Sequence, residues 1–74
     1  MTELNFEIKR EIGVVSESTK GWKRELNVVK WNDAEPKYDL RDWSPNHEKM
    51  GKGITLSRKE LIELKKLIEE ELSL

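Results

Sequence analysis

A chain of 74 residues is one domain, and an isolated domain this small is stabilised by only about 3–5 kcal/mol. It has no cysteine and a single histidine, His47, which excludes disulfides and a histidine- or cysteine-based zinc site. Oligomerisation is the remaining way to enlarge the core. The net charge of −1 argues against a strongly basic duplex-DNA binder, although 39% of the residues are charged and a local basic face is open.

No apolar run approaches the ~20 residues of a membrane span. The N-terminal MTELNFEIKR lacks the apolar core of a signal peptide, so a cytoplasmic location is expected. Residues 1–5 read as a short tail. From Phe6 the pattern alternates through Ile8, Ile12 and Val14, the period of a strand with one buried face. Arg10 and Val15 break the parity, which places a bend or an edge near Gly13.

Ser16–Gly21 has turn chemistry. Trp22–Trp31 reads as the second strand, with Leu26 and Val28 on one face. Lys23, Glu25, Asn27, Val29 and Trp31 take the other. Asn32–Pro36 reverses the chain. Lys37–Trp43 is the third strand, with Tyr38 and Leu40 facing the core and Lys37, Asp39, Arg41 and Trp43 facing away. Ser44-Pro45-Asn46 breaks it, and His47–Lys52 reads as a basic, mobile loop with His47 exposed. Gly53–Leu56 is a short fourth strand with Ile54 and Leu56 facing in.

Ser57-x-x-Glu60 has the form of a capping box, with Leu56 and Leu61 at the staple positions. Leu61, Leu64, Ile68 and Leu72 then recur at helical spacing. The element order is ββββα, an α+β class with a four-stranded antiparallel sheet and one C-terminal helix.

Strand parity collects Lys23, Asn27, Trp31, Lys37, Arg41 and Trp43 into one patch if the second and third strands pair. Aromatic rings stack on unpaired bases while cations hold phosphates, so this patch reads as a surface for a single nucleic-acid strand. Trp31 and Trp43 would stack; Lys23, Lys37 and Arg41 would contact phosphate, with Lys49 and Lys52 adding charge from the loop. Glu25 and Asp39 share the face and repel phosphate unless they pair with Lys23 or Arg41. Trp22 shares the core parity and reads as packing.

FEIK at the start, KGW at the first turn, the tryptophan ending the second strand and KGITL before the amphipathic helix resemble the positive cofactor four family. ELNVVKWN, PKYDLRDWSP and HEKMGKGITL resemble its small bacterial YdbC-type members more closely. The likeness covers about residues 5–70. It implies a homodimer of curved sheets whose C-terminal helices help form the contact, with single-stranded DNA across the open sheet faces. Leu61, Leu64, Ile68 and Leu72 are then the expected dimer contacts. By resemblance, Trp31 matches a strand-end aromatic of the family's binding surface and Lys52 the lysine of its KGISL-like segment. The family's basic strand residue corresponds to Arg41 or Lys23. The strand around Lys37–Trp43 and the longer loop after it are extra. The serine-rich N-terminal region of the eukaryotic members is missing, so their phosphoregulation does not carry over.

No constellation for catalysis, metal or cofactor is evident, and no glycine-rich phosphate loop occurs. The expectation is a non-enzymatic, sequence-tolerant, homodimeric single-strand binder of transcription or DNA maintenance, with DNA and RNA both open. The alternative is a dimeric adaptor that binds another protein through the aromatic face.

Overall fold

The computed structural model describes residues 5–73, so the expected tail lies outside the described residues except for Asn5. Four strands, β1 (Phe6–Glu17), β2 (Lys23–Trp31), β3 (Lys37–Trp43) and β4 (Met50–Leu56), form one antiparallel sheet in the order β1-β2-β3-β4. The helix α1 (Arg58–Leu72) follows. The expected ββββα order is the one observed. β4 starts three residues early, so Lys52 lies on a strand and the loop after β3 ends at Lys49.

Local chemistry accounts for the joints. Gly21 takes φ 86°, a conformation open to glycine, in the turn closed by Gly21 N–H to Ser18 O. Asn32, at φ 51°, supplies the left-handed residue of the next reversal. Its side chain also accepts from Asn5 N–H at 2.9 Å, tying the start of β1 to the end of β2. The capping box is complete: Glu60 N–H donates to Ser57 Oγ at 3.1 Å, and Ser57 N–H to Glu60 Oε1 at 2.8 Å.

β1 is the irregular member. Its 12 residues pair with the 9 of β2, and the surplus is taken up by register shifts at Ile8/Arg10, Glu11/Gly13 and Val14/Ser16. Each bulge bends the strand and increases its twist, and each resets the inside–outside parity. That is why Arg10 and Val15 fall out of step in the sequence.

The curvature decides which face is the core. Asn27, Val29 and Asp39 are fully buried and Trp43 is 1% exposed, all on the face expected to be open. Phe6 reaches both Trp31 and Trp43, with ring centroids 5.8 and 5.2 Å away. Trp31 ends β2, while Trp43 pairs with Lys23 at its start. A straight strand would hold those ends about 26 Å apart, so a curved sheet and inward-leaning side chains are needed to close the span. The face expected to be the core, with Leu26, Leu40 and Leu56, is only half-buried beneath α1, and Ile54 is 52% exposed.

Candidate nucleic-acid interface

The register of β2 with β3 brings the predicted patch together. Lys23 opposes Trp43, Glu25 opposes Arg41, Asn27 opposes Asp39, and Val29 opposes Lys37. The patch lines the concave side of the sheet, and its centre is a closed polar and aromatic network.

Asp39 anchors one half of it. Its buried carboxylate accepts from Arg41 Nε at 2.8 Å and Nη2 at 3.0 Å, and from Thr55 Oγ1 at 3.0 Å. Arg41 Nη1 donates to Gly51 O at 3.1 Å. Three of its five N–H donors are thus committed, and the guanidinium lies 4.9 Å from the Trp31 ring centroid. Gly53 opposes Arg41 on β4, and a Cβ there would collide with the Arg41 Cβ and backbone.

Glu25 anchors the other half. It accepts from Asn27 Nδ2 at 3.0 Å and lies 2.8 Å from His47 Nε2. Asn46 and His47, at φ 62° and 57°, turn the chain left-handed and bring the imidazole in against the edge of Trp43. Burial pushes the Glu25 carboxyl up. The hydrogen bonds from Asn27 and His47, with the charges of His47 and Lys23, outweigh that and hold it below its ordinary value.

This geometry corrects several expectations. Trp43 and Asn27 are not presented to solvent, because the curl of β1 and the loop bearing His47 close over them. Arg41 is a braced cation, with only 14% of its side chain exposed, in place of a free phosphate clamp. His47 is half-buried and bonded, not an exposed loop residue. Lys23 faces Glu11 and Glu25 across a recess. Lys52 lines a shallow recess with Arg24, Leu40 and Ile54, apart from Trp31, although Arg41 reaches its wall. Trp31 is half-buried, and Lys23, Lys37, Lys49 and Lys52 are exposed.

Sequence reasoning assigned Phe6 to an ordinary strand face and missed it as the third ring of the cluster. The signal for the counter-ions was there: Glu25 and Asp39 share parity with Arg41. Asp39 pairs with Arg41 along one strand, two residues apart, and not across the ladder.

A sequence profile of the Transcriptional Coactivator p15 (PC4) family matches residues 18–67. The chain belongs to this family. It is also 44% identical over 66 residues to an uncharacterized protein of Treponema pallidum (strain Nichols), covering 89% of this chain and 78% of the other. The PC4 family is associated with single-stranded DNA binding and transcription coactivation, and its members are nucleic-acid-binding coactivators, not enzymes. The profile match starts at Ser18 and takes in β2, β3, β4 and most of α1, so Trp31, Arg41 and Trp43 fall inside it and Phe6 and Glu11 before it.

Two outcomes follow for this PC4 family member. Trp43→Ala removes the largest fully buried side chain. It should cost about 3–5 kcal/mol, comparable with the whole stability of a domain this size, and leave a largely unfolded chain by circular dichroism. A variant melting within a few degrees of wild type would mean that Trp43 is not a core residue.

The second outcome concerns acid. Folded Glu25 resists protonation more than the unfolded chain does, so its contribution is present above the ordinary carboxylate pKa of about 4.3 and is lost as pH falls through the folded value. Glu25→Gln should flatten the acid limb of a plot of Tm against pH. Parallel acid limbs for variant and wild type would show that Glu25 carries none of it.

Proposed function

We propose that the protein binds single-stranded nucleic acid without strong sequence preference, acting as a homodimer in transcription or DNA maintenance in the bacterial cytoplasm. The observation that carries this reading is the Arg41 guanidinium held over Trp31 within the Phe6–Trp31–Trp43 cluster, in a chain of the PC4 family. Phe6 and Trp31 are the members of the cluster that reach solvent, so a base stacks on that rim, with Trp43 and Asn27 supporting it from beneath. Lys37, opposite Val29 and two residues from Trp31 in register, contacts phosphate. Lys23 and Lys49 extend the cationic track at the far end, and the two uncommitted donors of Arg41 add to it.

Dimerisation rests on the other face. Between the sheet and α1 runs an apolar groove of about 510 Å³, walled by Leu26, Leu40, Leu56, Leu61, Leu64 and Ile68. Leu72, 77% exposed, continues the stripe. A second copy presents the same stripe, and a two-fold contact through Leu61, Leu64, Ile68 and Leu72 covers both at once.

Intrinsic tryptophan fluorescence titrated with oligo-dT tests the binding. Quenching is expected at micromolar concentration or below, with weaker binding to duplex DNA of equal length. If about four phosphates are neutralised per subunit, the log–log salt slope is roughly −3. Trp31→Ala should lose about 1–3 kcal/mol of binding while remaining folded. Equal affinity for duplex and single strand, or an unaffected Trp31→Ala variant, would refute the stacking rim. Silence in the titration favours a protein-binding adaptor.

Light scattering tests the assembly separately. Twice the 8.8 kDa chain mass is expected, and Leu64→Glu should return it to one. A monomer at tens of micromolar would refute the dimer.

A further inference from the structure

A recess floored in part by Ile12, Gly13 and Val14 of β1 carries the polar side chains of Glu11, Lys23, Glu25, Asn27 and His47. Glu11 comes from β1, at a bulge and opposite Asn27 in register. Glu25 and Asn27 come from β2, and His47 from the loop after β3. One ligand atom from each of Glu11, Glu25 and His47 lies within 4.8 Å of the others. His47 Nε2 is 2.8 Å from Glu25 Oε1 and 3.7 Å from Glu11 Oε1.

The geometry points to a binding site for a divalent transition-metal ion at Glu11, Glu25 and His47. Neighbouring nitrogen and oxygen ligands on one such ion stand roughly 3–3.5 Å apart, given metal–ligand bonds of about 2.0–2.2 Å. The largely exposed Glu11 side chain has the rotamer freedom to close its gap. The independent observation is Asn27. This residue is fully buried and lines the same recess, and its Oδ1 has no hydrogen-bond partner among the described residues. A buried carbonyl oxygen left unpaired bears the cost of its desolvation uncompensated. Asn27 Nδ2 already orients the Glu25 carboxylate at 3.0 Å, so the recess has a polar wall behind that ligand.

Charge and donor type agree. Two carboxylates set against Lys23 leave the recess net negative before the ion arrives. One imidazole with carboxylate oxygens suits Zn²⁺ or Mn²⁺ better than Ca²⁺ or Mg²⁺, which favour all-oxygen shells. The single histidine rules out sites led by histidine and cysteine; here the carboxylates lead. The ion would tie β1 and β2 to the loop that packs His47 against Trp43.

The test is calorimetric titration of the chelator-treated full chain with ZnCl₂ and with MnCl₂, alongside melting curves with and without each ion. Saturable one-site binding and a raised Tm are expected, with CaCl₂ giving neither. Glu11→Gln, a change at an exposed side chain, should weaken Zn²⁺ binding by about tenfold or more, as should His47→Gln. Glu70→Gln, on the exposed acidic face of α1, should leave it unchanged. Mn²⁺ should broaden the His47 ring protons in NMR spectra ahead of other signals. No saturable binding to wild type overturns the proposal. So does wild-type affinity in a folded Glu11→Gln variant, or broadening confined to α1.

Discussion

The bidentate pair between Arg41 and Asp39 is the constraint on which the concave face depends. A fully buried carboxylate is costly unless its lone pairs are filled, and Asp39 fills its own with two guanidinium bonds and one from Thr55. The same guanidinium holds Gly51 O of β4 and covers Trp31 of β2. One ionic contact therefore fixes three strands relative to one another. Removing only one partner would leave a desolvated charge in the middle of the sheet, the kind of loss that exceeds the pair's own net contribution.

Around that pair the chain inverts the usual arrangement of a small α+β domain. Its best-buried positions are Asn27, Asp39, Val29 and Trp43, while Leu26, Leu40 and Leu56 stand half-open beneath a single helix. Polar networks in low dielectric are strong when satisfied and specify one packing. They add little of the area-proportional stabilisation that a small chain needs. The apolar side, where such stabilisation is available, is the side left incomplete.

The order of elements, the strand parity and the capping box were legible because each is a local property. Ser57 and Glu60 lie three residues apart, and the alternation from Lys23 to Trp31 needs no knowledge of the rest of the chain. The direction of the core was not legible. Parity says that Asn27 and Trp43 share a face; it does not say which face is covered. That depended on three bulges in β1, which leave only a broken alternation near Arg10 and Gly13 as their trace. His47 was missed for a similar reason, since its inward turn comes from two consecutive left-handed residues that no pattern of hydrophobicity records. Lys52 reads as loop because it closes the basic run from His47 around Gly51, whereas β4 already begins at Met50.

The bulges of β1 have one more effect. As the first strand of the sheet, β1 leaves its outer main-chain groups without a strand neighbour among the described residues. A flat, regular edge of 12 residues would be a template for the strand of another molecule. Three interruptions between Ile8 and Ser16 spoil the even spacing that a continuous ladder requires. Lys9, Arg10 and Glu11 add charge along it. The strand that shapes the interior thus also guards its own edge against pairing with the strand of another molecule.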